Sequence, residues 1–69
     1  MPDHDQPQLW RLPTVLAVTG LTRSSLYRLL QRPGAFPRPV RLAGTRAVAW
    51  PSDEVTSWIQ AQLNRRERA

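Results

Sequence analysis

The architecture follows from the stretch TGLTRSSLYRLL at residues 19–30. Glycine tolerates the left-handed conformation that ends many helices, so Gly20 marks a helix end. Thr22 is a good N-cap for the helix that follows. Three leucines then recur at the i, i+3, i+4 spacing of a buried helical stripe, namely Leu26, Leu29 and Leu30. A second helix therefore begins after Thr22, and a short turn containing Gly20 joins it to the preceding segment.

The segment before Gly20 predicts a first helix over about residues 13–19. Proline is favoured in the first turn of a helix, where its missing N–H costs nothing, and Pro13 stands at that position. Apolar residues at helical spacing follow, and they are Leu12, Val15, Leu16 and Val18. Two short helices joined by a glycine-containing turn are the helix-turn-helix arrangement.

The second half of the chain predicts a hairpin and a third helix. Residues 40–43 and 46–50 read as two short strands, and Gly44-Thr45 between them suits a two-residue type II′ turn. Ser52 then starts a helix with two acids in its first turn, where a hydroxyl caps free N–H groups and acids suit the helix dipole. Its apolar stripe consists of Val55, Trp58, Ile59 and Leu63. The fold class is mostly α with a small β-hairpin, a winged helix-turn-helix with three helices and a two-stranded wing.

The predicted domain occupies residues 9–64. Residues 1–8 are polar, contain two prolines and predict a disordered tail. Residues 65–69 predict a frayed basic end. Within the domain we expect one core, made of Val15, Leu26, Leu29, Phe36, Val48, Trp50, Val55, Trp58 and Ile59.

The positive charge lies in the middle of the chain. The net charge is +5, and residues 9–50 carry seven arginines and no acid. The planar guanidinium suits phosphates and guanine edges. Arginines without acids repel one another on a merely solvated face, so this pattern indicates nucleic-acid binding.

Catalysis, metal binding and membrane insertion are not expected. The adjacent carboxylates Asp53 and Glu54 do not face each other on a helix, and no nucleophile–base pair is available with a single His and no Cys. His4 has no partner ligands, so we predict neither a metal nor a cofactor. No apolar run reaches the length of a membrane span, and no secretion signal is visible, so the expected location is the cytoplasm, with the nucleoid.

The sequence predicts different roles for the tryptophans and for Tyr27. Trp10, Trp50 and Trp58 could stack on bases, but two of them lie on apolar stripes, which favours core packing. Tyr27 flanks the exposed face of the second helix, which favours a DNA contact.

Six segments occur in a fixed order, namely RL at residues 11–12, TGLTRSSLYRL at 19–29, FPRPVRL at 36–42, RAVAW at 46–50, EV at 54–55 and WI at 58–59. Taken together, these motifs resemble the AlpA family of small phage regulators, which is related to excisionases and to the DNA-binding domains of MerR-type regulators. The similarity covers roughly residues 11–60, and the ordered set is specific although each piece alone is weak. The resemblance implies a helix-turn-helix with a hairpin wing and a packing helix.

The resemblance also implies the residues that contact DNA. The helix from Arg23 to Arg32 matches the family's recognition helix, and its candidate contacts are Arg23, Ser24, Ser25, Tyr27 and Arg28. The wing and its flanks supply Arg38, Arg41, Thr45 and Arg46. The segment between Leu30 and Phe36 looks about one residue longer than the family's pattern, which leaves the end of the recognition helix open.

The leading functional hypothesis is a regulator of a phage or mobile element that binds a specific double-stranded DNA sequence. An excisionase that bends DNA beside an attachment site fits equally well, and the sequence does not separate the two. RNA polymerase or integrase would be the respective protein partners. A third hypothesis, an adaptor that docks a partner helix through residues 55–63 without DNA, conflicts with the charge, since interface cores are depleted in charged residues. Without a heptad repeat we expect a monomer in solution, with copies side by side on DNA.

Overall fold

A computed structural model describes residues 8–66. This part of the chain forms three helices and three strands: β1 (Leu9–Trp10), α1 (Leu12–Thr19), α2 (Arg23–Leu30), β2 (Val40–Arg41), β3 (Val48–Pro51) and α3 (Ser52–Arg65). The arrangement confirms the mostly helical, winged helix-turn-helix fold class. Of the predicted tail only Gln8 is described, and residues 67–69 of the predicted basic end also lie outside the described residues.

The turn between α1 and α2 is held by local hydrogen bonds. Gly20 has φ +78° and its N–H donates to the Leu16 carbonyl at 2.8 Å, which ends α1 in the left-handed conformation. The hydroxyl of Thr22 accepts from the N–H of Ser25 at 3.1 Å and caps α2, as predicted. Because residues 20–22 alone connect the helices, the exposed face of α2 has a fixed direction relative to α1.

The sheet contains a strand that the sequence did not reveal. In residues 8–66 the strand order is β1-β3-β2, all antiparallel, with Trp10 opposite Trp50 and Arg41 opposite Val48. A two-residue strand such as β1 shows no alternation, so only its partner identifies it. The predicted two-stranded wing is therefore one side of a three-stranded sheet centred on β3.

The start of α3 corrects the predicted role of Ser52. Its hydroxyl accepts from the N–H of Gln8 at 2.7 Å, and its own N–H donates to the Gln8 carbonyl at 2.6 Å. Ser52 is thus the first residue of α3 and bonds to the segment before β1, while Pro51 occupies the N-cap position without a side-chain cap. The two acids Asp53 and Glu54 do lie in the first turn, where the helix dipole favours them.

The hairpin turn lies one residue earlier than predicted. The N–H of Thr45 donates to the Leu42 carbonyl at 3.1 Å, so the turn runs from Leu42 to Thr45 with Gly44 in its third position at φ +74°. The Thr45 hydroxyl donates to the Leu42 carbonyl at 3.0 Å and accepts from the N–H of Ala47 at 3.0 Å. The predicted two-residue type II′ turn at Gly44-Thr45 is wrong, because the Thr45 hydroxyl bonds to both Leu42 and Ala47 and so closes a loop wider than two residues.

The core confirms the predicted set. Its buried residues are Val15, Leu26, Phe36, Ala49, Trp50 and Val55, and partly buried side chains around them include Leu29, Val48, Trp58 and Ile59. Val18 and Leu63 were placed on buried stripes but are 43% and 44% exposed, because each lies at the far end of its helix. The indoles of Trp50 and Trp58 donate to the carbonyls of Pro37 and Ala35 at 3.0 and 2.8 Å. These two tryptophans therefore tie the connector between α2 and β2 to the core.

The connector begins immediately after α2. The helix ends at Leu30, and Arg32 lies beyond it in a turn in which the N–H of Ala35 donates to the Arg32 carbonyl at 3.1 Å. Arg32 is exposed. The recognition helix implied by the resemblance is therefore two residues shorter here, and the longer segment with Pro33 forms the turn.

Candidate nucleic-acid interface

Helix α2 is anchored by one face and leaves the other open. Leu26 is fully buried, and Leu29 and Leu30 pack against the core. At 100° per residue, Ser24 and Arg28 point away from that stripe, and both are exposed. Tyr27 flanks this face and is 47% exposed, and Arg23, one turn before Tyr27 at the start of the helix, is exposed as well. Four of the five predicted recognition residues are thus accessible on α2, whose leucine stripe packs against the core.

The fifth residue, Ser25, is half-buried and takes part in the helix cap. The Thr22 hydroxyl accepts from the N–H of Ser25 and donates to the Ser25 hydroxyl at 3.0 Å. In this arrangement the Ser25 hydroxyl keeps its own proton for a partner outside the helix. Ser25 can therefore donate one hydrogen bond at the N-terminal end of α2.

The backbone at this end of α2 is a second source of donors, which side-chain motifs did not reveal. The first N–H groups of any α-helix have no partner inside the helix, and at α2 they belong to Arg23 and Ser24. Such groups suit anions such as phosphate. The predicted cap at Thr22 was the available signal, because it fixes which N–H groups come first.

The wing and the segments beside its strands present three arginines. Arg41 lies on β2 opposite Val48, Arg46 follows the turn, and Arg38 precedes β2. All three are exposed. Thr45 differs, because its single hydroxyl proton is engaged by the Leu42 carbonyl. The arrangement therefore gives Thr45 a structural part in the turn and leaves Arg46 as the charged group beside it.

Arginine dominates the electrostatics of the described surface. Residues 8–66 contain nine arginines, all exposed, and two acids, Asp53 and Glu54, which gives +9 − 2 = +7. Both acids lie in the first turn of α3, outside α2 and the hairpin strands. A surface with this balance attracts a polyanion over a distance of about a Debye length, and salt weakens that attraction.

Residues 8–66 offer neither a metal cluster nor a membrane span. Among residues 8–66 no cluster of three or more His, Cys, Asp or Glu side chains could hold a metal ion. Within the same range, none of the helices has both the length and the apolar character needed to cross a membrane.

Comparisons with known proteins agree with the resemblance. The model of the family described as the prophage CP4-57 regulatory protein (AlpA) matches residues 8–63. The chain is also 41% identical over 68 residues to uncharacterized protein ORF88 of Enterobacteria phage P4, an alignment that covers 99% of this chain and 75% of the relative. No solved structure matches the chain. The family match spans α2, the hairpin and most of α3.

Proposed function

Because this chain belongs to the AlpA family of prophage regulatory proteins, we propose that it acts by binding a specific sequence in double-stranded DNA. The observation that carries this proposal is the open face of α2. Ser24 and Arg28 project from a helix whose opposite side is buried at Leu26, and every arginine of residues 8–66 is exposed. A basic helix held this way by a helix-turn-helix suits insertion into the major groove.

The proposed contacts follow from position and chemistry. Ser24 is small and lets the helix approach the base edges, while Arg28 is long enough for a bidentate bond to guanine or a contact to phosphate. Arg23, Ser25 and Tyr27 contact phosphates near the N-terminal end of α2. On the wing, Arg46, Arg41 and Arg38 contact the backbone or the minor groove, and Thr45 holds the turn that positions Arg46.

A shift assay on random-sequence duplex DNA at low salt tests the class of function. A DNA-binding protein forms a complex on any duplex under these conditions, because the phosphate contribution does not depend on sequence. The adaptor hypothesis predicts free DNA at every protein concentration, and that result would overturn the proposal.

A footprint on the DNA that flanks the gene then separates the two DNA-binding roles. A protected site within a promoter identifies a transcriptional regulator, which is the role we propose. An array of protected sites next to an attachment site identifies an excisionase instead. Binding without any preferred site on this DNA would contradict sequence-specific recognition.

A further inference from the structure

The described surface also contains a groove that is acidic and apolar, whereas the α2 face is basic. It has a volume of about 470 Å³ and lies between the connector at residues 34–37 and the first two turns of α3. Phe36 and Trp58 line it, with their rings 4.9 Å apart at 65°, and Asp53 and Glu54 line it as well. An apolar wall therefore stands beside two carboxylates, and this groove holds every acid of residues 8–66.

The groove is unsuited to DNA and suited to a guanidinium. Its carboxylates repel phosphate, whereas they attract a cation. The indole N–H of Trp58 is taken by the Ala35 carbonyl, so the half-exposed ring offers the groove an apolar face with no unsatisfied donor. An arginine stacks on such a ring and pairs with nearby carboxylates. The helix dipole accounts for acids at the start of α3, but it does not account for the aromatic wall beside them.

Two arginines outside the proposed DNA interface lie at the other end of the same helix. Arg65 and Arg66 are exposed at the C-terminal end of α3, outside α2 and the wing. At a rise of about 1.5 Å per residue, Glu54 and Arg65 are separated by roughly 17 Å of helix, farther than one arginine side chain extends. The chain cannot fill its own groove with these residues, but a second copy can.

We propose that the groove binds the Arg65–Arg66 end of α3 from a neighbouring copy of this chain. The two surfaces differ, so the contact is head-to-tail and repeats from copy to copy in an open row. Each copy carries a net charge of +5, which opposes association in free solution. DNA removes that repulsion by neutralising the arginines on the α2 face, so the row forms on DNA. In this respect the inference rests on the proposed function.

Binding to short and long duplexes tests the contact separately from DNA binding. The variant D53N/E54Q removes the groove's charges, and Q60K/A61K adds the same two positive charges on exposed positions of α3. On a random duplex of about 12 bp, which has room for one copy, both variants should bind equally. On about 60 bp, wild type and Q60K/A61K should bind cooperatively, and D53N/E54Q should lose about two- to tenfold in cooperativity, as expected for two exposed ion pairs.

The outcomes of this test are distinguishable. If wild type binds neither duplex, the proposed function fails. If wild type binds the short duplex but shows no cooperativity on the long one, or if D53N/E54Q is as cooperative as its control, the groove contact is overturned. A second comparison uses charge reversal: D53R/E54R and R65E/R66E should each abolish cooperativity, and the chain with both pairs reversed should recover it. Failure to recover would also contradict the contact.

Cross-linking provides a readout that does not depend on affinity. The chain has no cysteine, so single cysteines can be introduced without background. A mixture of S57C, in the groove, and N64C, beside Arg65, should cross-link on the long duplex faster than either variant with itself. A mixture of S57C and S24C serves as the control, because Ser24 faces DNA in the proposed complex. Equal rates in both mixtures, or dominant S57C–S57C cross-links, would exclude a head-to-tail row through the groove.

Discussion

Some residues of α2 pack into the core, and others face outward. Leu26 is fully buried, whereas Arg28, two positions later, is exposed. Successive positions on a helix are separated by about 100°, so residues two positions apart lie on nearly opposite sides. One can therefore pack into the core while the other faces outward. Substitutions at these positions should therefore separate stability from DNA binding.

Leu26→Ala should destabilise the fold by about 2–5 kcal/mol, the usual cost of truncating a fully buried leucine. That is a large share of the stability of so small a domain. Leu29→Ala is the matched comparison, and it should cost less because Leu29 is only partly buried. Urea denaturation followed by tryptophan fluorescence measures both. An unchanged midpoint for Leu26→Ala would show that α2 packs by a different face.

Arg28→Ala and Arg46→Ala should each weaken DNA binding and leave the unfolding midpoint unchanged, because both side chains are exposed. A base contact by Arg28 would relax specificity at one position by about 1–3 kcal/mol, and a phosphate contact would lower affinity evenly across sequences. Arg65→Ala is the control on a duplex short enough for one copy, where it should bind like wild type. Wild-type affinity in the Arg28→Ala/Arg46→Ala double variant would contradict docking through α2 and the wing.

Hydroxyl groups show where prediction from sequence ends at this scale. The sequence identified Thr22 as a cap, and it is one, because its partner is local in the chain. Ser52 was expected to cap α3 in the same way, but its hydroxyl accepts from the N–H of Gln8, which lies 44 residues away in the chain. A side chain's partner is predictable when it lies within a helical turn, and depends on the fold when it does not.

Among the elements, the helices were predictable and β1 was not. Each helix carries an apolar stripe of period 3.6 together with a start or stop signal, and these are properties of the local sequence. Strand β1 has two residues and exists because Trp10 pairs with Trp50 across the sheet. The hairpin was predicted, but its turn was misplaced by one residue because the Thr45 hydroxyl selects the wider loop.

The left-handed conformation of Gly20 leads to a prediction for the turn between α1 and α2. Gly20→Ala should cost about 1–2 kcal/mol, since a Cβ is disfavoured at φ +78° although open space surrounds the position. Gly20→Asn is the comparison and should cost less, because asparagine tolerates this conformation. Thermal unfolding of the two variants tests the idea. Equal stability of Gly20→Ala and wild type would mean that the turn adopts another conformation in solution.

At the scale of the whole molecule, the apolar surface is largely used within the chain. The large apolar side chains that stay exposed in residues 8–66 are Leu9, Val18, Tyr27, Val40 and Leu63, and each belongs to a different element. A stable two-fold dimer buries one large continuous patch, and five exposed apolar side chains on five different elements argue against such a patch. The nine candidate DNA contacts, by contrast, lie within the part of the chain that the AlpA family model matches.

We therefore predict a monomer in the absence of DNA. Multi-angle light scattering at physiological salt should give a mass near 7.9 kDa across a tenfold range of protein concentration. The weak head-to-tail contact proposed above should not change this value, because the net positive charge opposes it. A concentration-independent dimer would contradict the prediction and would indicate recognition of an inverted repeat by a two-fold pair.

The salt dependence of DNA affinity tests the central claim most directly. If about five arginines on α2 and the wing each neutralise a phosphate, a plot of log K against log salt concentration has a slope between about −4 and −5. Titration of a short labelled duplex with the full chain, followed by fluorescence anisotropy at several salt concentrations, measures this slope. A slope in that range is the predicted result, and a slope near zero would contradict binding through the arginine surface.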